Sequence, residues 1–165
     1  MWVAEKFGVL DVIEVNVEPP HMTTRFQREN RIAVDWNIKV VGKVTAKDVV
    51  GFCDNTTPIF YGDGDRVEPG VIEGTPPANW KSLQLVRPRN PRFTGMGDEW
   101  RANFSDGAGN HYGLKVKDPA YVEKLQAGQH DADCLITVSL TEPWAPRDGT
   151  YPEHCYKLAA AVIPA

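Results

Sequence analysis

The side chains best suited to chemistry cluster in two stretches rich in arginine and aromatics. "RPRNPRF" carries Arg87, Arg89, Arg92 and Phe93, stiffened by Pro88 and Pro91, and "EPWAPRDGTYPEH" carries Trp144, Arg147 and Tyr151. Guanidinium groups neutralise phosphates, and an aromatic face stacks on any base at about 1–3 kcal/mol, so this combination points to single-stranded nucleic acid. Between the two stretches, Arg101, Asn103, Lys115 and Lys117 fall on the outward parity of two alternating segments. These eleven residues form the candidate binding set. The competing reading is a solvated strand face with two Pro-rich loops whose aromatics pack inward.

Other reactive side chains lack the spacing that chemistry requires. "HDADC" gathers His130, Asp131, Asp133 and Cys134, and His154 adjoins Cys155, but no CxxC or HxxxH ligand pair occurs, so a solvated turn beside a buried thiol is expected and no metal or cofactor. "YGDGDRVEPG" holds Asp63 and Asp65 without the remaining ligands of a calcium loop and reads as a turn. There is no GxSxG elbow, no phosphate-binding GxxxxGK[ST] and no HExxH. Ser139 or Cys155 could meet His154 in space, yet a lone strand cysteine is usually core, and no catalytic constellation emerges. Gln27, Glu29 and Asn30 in "QREN" are read as closing a turn through hydrogen bonds to backbone.

The composition sets the frame for these residues. The chain has 165 residues, 42% of them hydrophobic, with five Trp, five Tyr and six Phe, enough apolar mass for one compact body with a core. No apolar run reaches the roughly 18 residues of a membrane span, and "MWVAEKFGVLDVIEV" carries acids within its apolar stretch and no cleavage pattern, so a soluble, non-exported protein is expected. Three widely spaced cysteines suit a reducing cytoplasm better than a disulfide framework. The net charge of −4 argues against wholesale coating of nucleic acid, but residues 80–117 hold seven basic and three acidic residues, a local +4 between flanks of −4.

Periodicity supplies the elements that must position the candidate set. Ile32, Val34, Trp36, Ile38 and Val40 alternate with Ala33, Asp35, Asn37 and Lys39, which predicts a strand with one buried face; Val9 to Val17 reads as a strand covered on both sides. Thr45 and Asp48 resemble a capping box before a helix of about two turns, and residues 54–79 are broken by Gly and Pro into loop with one or two short extended pieces. In the second half, Ser82 to Arg87, Glu99 to Ser105 and His111 to Val116 read as three strands, the last two joined by the turn "DGAGN". "DPAYVEKLQAG" then begins with a capping Asp118 and Pro119, carries Tyr121, Val122 and Leu125 at helical spacing, and stops at Gly128. Cys134 to Thr141 and Cys155 to Ile163 complete five strands.

The order β-β-β-α-β-β is that of an OB-fold, a five-stranded Greek-key barrel with a helix between its third and fourth strands. In that frame "RPRNPRF" is the loop between strands one and two, and "EPWAPRDGTYPEH" the loop between strands four and five. "LDVIEV", "FQRENRI" followed by Trp36, "SLQLV", "YGLKVKDP", "TVSLTEPW" and "CYKLAAAVI" together resemble the dual OB-containing domain family, prokaryotic proteins regarded as nucleic-acid-binding or modification factors of conflict systems. The resemblance implies a second OB-like unit in the first half, where only two strands and a helix precede residue 54. The expectation is therefore an all-β protein: an OB-like barrel over residues 80–165, packed on an incomplete OB-like unit over residues 1–79 that a homodimer or another protein partner could complete. Its expected function is non-catalytic nucleic-acid binding, and the alternative is a module that docks a nuclease, helicase or other effector.

Overall fold

The computed structural model describes residues 7–19, 25–54 and 56–165. In chain order its elements are β1 (Asp11–Glu14), β2 (Val17–Glu18), β3 (Ile32–Ala33), β4 (Lys39–Lys43), α1 (Ala46–Val49), β5 (Arg66–Val67), α2 (Pro69–Glu73), β6 (Leu83–Val86), β7 (Arg89–Met96), β8 (Glu99–Ser105), β9 (His111–Val116), α3 (Pro119–Gln126), β10 (Cys134–Leu140) and β11 (Cys155–Pro164). The large sheet runs β6-β10-β11-β9-β8-β7, with β9 and β11 parallel and β5 added beside β11. Its two ends, β6 and β7, are consecutive in the chain. One bent stretch therefore begins and ends the path, and the sheet closes into a barrel with α3 between its third and fourth strands, the OB topology.

The bend explains where the sequence reading failed. "RPRNPRF" is not a loop: Arg89–Met96 is a strand paired with β8, and the turn that follows is the two-residue hairpin Gly97–Asp98. Pro88 stands at the break between β6 and β7, and Pro91 falls in a register shift between Arg89 and Arg92, where a missing N–H costs no ladder bond. Asn90 takes the left-handed conformation there, with φ 50°. Proline signals loop in a sequence but here marks a bulge.

The barrel interior follows from strand parity. Ala102 and Phe104 of β8, Tyr112, Leu114 and Val116 of β9, and Ile136, Val138 and Leu140 of β10 are all buried. Helix α3 adds Tyr121 and Leu125, with Phe93 of β7 lying 5.0 Å from the Tyr121 ring. Asp118 fixes the helix in place: one carboxylate oxygen accepts the Tyr121 N–H at 3.1 Å, and the other accepts the Val162 N–H of β11 at 3.0 Å. The segment before β5 wraps the barrel and is held by three buried polar groups, one of them Gln84, which accepts the Phe60 N–H and donates to Thr56. The Tyr112 hydroxyl accepts the Ile59 N–H and donates to Asp106, both at 2.9 Å. Lys157, 1% exposed, sends its ammonium to the carbonyls of Ile59, Gly62 and Asp63.

The first half differs more from expectation. The alternating run Ile32 to Val40 is interrupted because the Asp35 carboxylate accepts the Asn37 N–H at 2.9 Å and turns the chain. Its even face is not buried: Val34 is 59% and Trp36 77% exposed. Val9 to Val17 likewise splits into β1 and part of β2, and Val9, Val12, Ile13 and Val17 are exposed instead of covered. The capping box at Thr45 and Asp48 forms, and α1 continues into a 3₁₀ turn over Val50–Phe52. One segment of this half is firmly seated. Phe26 is fully buried, edge-on to Trp80 at 5.1 Å, while Glu142 accepts the N–H groups of Arg25, Phe26 and Gln27. Gln27 donates to the Leu140 carbonyl and Glu29 receives the Ser82 hydroxyl at 2.8 Å. "QREN" thus docks the first half on the barrel, beyond closing a local turn.

Two substitutions test this construction. A Cβ at Gly95 would stand 2.3 Å from the Glu99 carbonyl oxygen, so Gly95→Ala should destabilise the barrel by about 2 kcal/mol or more, read by urea unfolding. Burial pushes the Lys157 ammonium down to about 8 from 10.5, against the opposing pull of Asp63 and Asp65. Between those values the unfolded chain binds the extra proton, so the contribution of Lys157 to stability rises with pH across this window. The unfolding free energy of wild type minus that of Lys157→Met should therefore increase between pH 8 and pH 10.5, by up to about 3 kcal/mol. Taking the difference removes the buried thiols of Cys134 and Cys155, whose raised values act in the opposite direction.

Candidate nucleic-acid interface

The outer face of β8 and β9 and the start of β11 form the floor of a groove of about 810 Å³. β5 walls one side of it and the connection from β10 to β11 the other. Arg101 and Lys115 are cross-strand partners in the β8–β9 register, so both point outward from neighbouring positions. Lys117 follows β9, held by its N–H to the Ala159 carbonyl at 2.8 Å, and its side chain makes no ion pair among the described residues. Trp144 is fixed at the foot of its loop by a reciprocal backbone pair with His154 at 2.9 and 3.0 Å. Its indole is 57% exposed and meets the Tyr156 ring edge-on at 6.1 Å.

Carboxylates orient the cations. Asp65 accepts the Arg66 Nε–H at 2.9 Å and an Arg101 N–H at 3.2 Å, and Arg101 also donates to the Gly113 carbonyl at 2.6 Å. Burial works against the ionised Asp65, but these two guanidinium contacts outweigh it and hold the carboxyl below the usual range. The Arg66 guanidinium lies over the Tyr156 ring at 5.4 Å, and Lys115 pairs with Glu99. The arrangement offers one open aromatic surface beside three cations held by carboxylates, Arg66, Arg101 and Lys115, and Lys117, unpaired among the described residues, which suits a base and the phosphates that flank it.

Of the eleven sequence candidates, Arg101, Lys115, Lys117 and Trp144 line this groove. Arg89, Arg92 and Asn103 gather with Ser105 and His111 around a shallower hollow farther along the same outer face. Asn103 is committed to the sheet, donating to Thr94 Oγ1 at 2.8 Å. Arg87 pairs with Asp133 at 3.0 Å and lines a separate hollow with Cys53 and Asp54. Phe93 is half-buried, its ring 5.0 Å from that of Tyr121 on the core side of β7. Arg147 and Tyr151 lie at the exposed tip of the β10–β11 connection, outside the groove lining. Sequence reasoning missed Arg66 and Tyr156. Tyr156 was legible from the outward parity of the last strand, whereas Arg66 sits in a Gly-rich segment with no periodicity.

A family model for the dual OB-containing domain matches residues 3–162, nearly the whole chain. The chain belongs to that family. No curated protein and no solved structure matches it. OB barrels bind oligonucleotides and oligosaccharides at this face, so membership in the dual OB-containing domain family points at a coarse level to nucleic acid. Among the described residues no three metal-ligating side chains converge, and no helix is long and apolar enough to cross a membrane. The acids of "HDADC" serve the fold, since Asp131 receives the Tyr121 hydroxyl and the Lys124 ammonium and Asp133 pairs with Arg87.

Burial pushes the Cys134 thiol up to about 12 and the Cys155 thiol up to about 11. Cys155 beside His154 is thus a protonated core thiol near neutral pH. Of the three cysteines only half-buried Cys53 should react with a disulfide reagent at pH 8 in the native protein, and all three should react in denaturant. Rapid labelling of two or three native thiols would contradict the barrel packing.

Proposed function

We propose that this protein binds single-stranded nucleic acid without catalysis, along the outer face of β7, β8, β9 and β11. The observation that carries the reading is the convergence of Arg66, Arg101, Lys115 and Lys117 on the exposed indole of Trp144, across Tyr156. A base stacks on Trp144 while the cations meet its phosphates. The strand then continues toward Arg89, Arg92 and His111, a path of roughly 20 Å at about 3.4 Å per residue of β9. A duplex suits the groove poorly, because its bases are already stacked and give Trp144 nothing to hold. The reading places the protein in the cytoplasm as an accessory factor of a prokaryotic conflict system, consistent with three free thiols and with the family resemblance. Docking of a nuclease, helicase or other effector is the second reading, favoured by the exposed apolar side chains of the first half.

Titrating labelled single strands and duplexes of DNA and RNA at two salt concentrations separates the two. Affinity for single strands should fall with salt as expected for about three to five neutralised phosphates. Lys117→Ala should reduce that slope by about one, and Arg89→Ala with Arg92→Ala by about two. Trp144→Ala should weaken binding by about 1–3 kcal/mol with the slope nearly intact. If no strand binds even at low salt, the groove is a protein-docking surface, to be sought by pull-down with Trp144→Ala as control.

A further inference from the structure

β1 and β4 form a two-stranded ribbon with no third strand on either edge among the described residues. Every residue of β4 and three of the four in β1 are exposed, among them Val12, Ile13, Val40 and Val41. Trp36 and Phe52, elsewhere in the first half, are each 77% exposed. A lone ribbon of this kind is marginal in water, and its free edges present unpaired N–H and C=O groups. Among the described residues no barrel strand pairs with the ribbon.

The charges of the ribbon specify what can. Asp11 faces Lys43, 3.7 Å from its ammonium, and Glu14 faces Lys39, so β1 carries the acids and β4 the bases. A two-fold contact of β1 with β1 would set Asp11 and Glu14 against their like, and β4 with β4 would do the same to Lys39 and Lys43. Only β1 of one copy beside β4 of the next repeats the pairing already made within the chain. We infer that the protein self-associates head to tail through this ribbon, each copy adding its acid-bearing β1 to the base-bearing β4 of its neighbour.

Such a contact is heterologous, so it does not stop at two copies; it builds a ring or an open row. The assembly is independent of nucleic acid. Sedimentation velocity of the full chain, without ligand, from about 1 to about 200 μM should show mass rising past the dimer. About 0.5 M salt should weaken the association, because it screens the edge charges. Val12→Thr with Val41→Thr keeps strand propensity and charge while removing apolar contact, and should weaken association at least tenfold, as a shift in the concentration dependence. The thermal transition of the barrel should be unchanged in that variant. A chain that stays monomeric, one that saturates as a dimer, or association indifferent to the double substitution would each overturn the inference.

Discussion

A twisted sheet loses its edges only by meeting itself, and in this protein a single stretch, Leu83–Met96, must serve both ends of the path. β6 pairs with β10 and β7 with β8, so the bend at Pro88–Asn90 decides whether the barrel exists. The other features follow from it. With the sheet closed, one parity of β8, β9 and β10 is inside and must be apolar; the other is outside and free to carry charge. α3 covers the interior because Phe93, beyond the bend, reaches Tyr121. The parallel contact of β9 with β11 brings Tyr156 and Leu158 beside Lys115, which is where the groove lies.

The groove gains orientation at the cost of free charge. Asp65 takes up part of the positive potential of Arg66 and Arg101, yet two flexible guanidinium groups would otherwise have to be ordered by the ligand itself. Arg89 and Arg92, without ion pairs among the described residues, retain their full pull on an anion, as does Lys117 at the Trp144 end of the face. The face thus divides into a positioned part around Trp144 and a looser electrostatic part toward His111. The acidic net charge of the chain does not oppose this, because screening confines each group to its surroundings of about 8–10 Å.

How much of this was legible in the sequence varied with the range of the interactions. Capping by Asp118, the alternation of β8 and β9 and the order of the last five strands are local signals, and they predicted the barrel. The half-burial of Phe93 against Tyr121 follows from its cross-strand pairing with Ala102, which its proline-flanked sequence does not signal. The Ile32 to Val40 run misled for the opposite reason: its hydrophobic alternation is intact, but one Asx turn at Asp35 outweighs it. Arg66 and Lys157 depend on a wrapped segment whose position comes entirely from distant partners, Tyr112 and β11. No pattern within that segment carries them.

The seat of residues 25–30 on the barrel has a different kind of consequence. Glu142 reads this arm through three consecutive main-chain N–H groups, and only Phe26 inserts a side chain into the core. Recognition by amides is indifferent to side chains, but Gln27 also donates to the Leu140 carbonyl and Arg25 pairs with Glu73 and Glu153, so both positions add side-chain contacts to the main-chain grip. Position 26 must stay a large apolar residue to fill the place against Trp80. Glu142 is two residues from Trp144, and the loop that grips the arm is the loop that presents the indole. The geometry of the ligand platform is therefore tied to the arm: Glu142 holds its main chain, and Phe26 against Trp80 anchors it in the core.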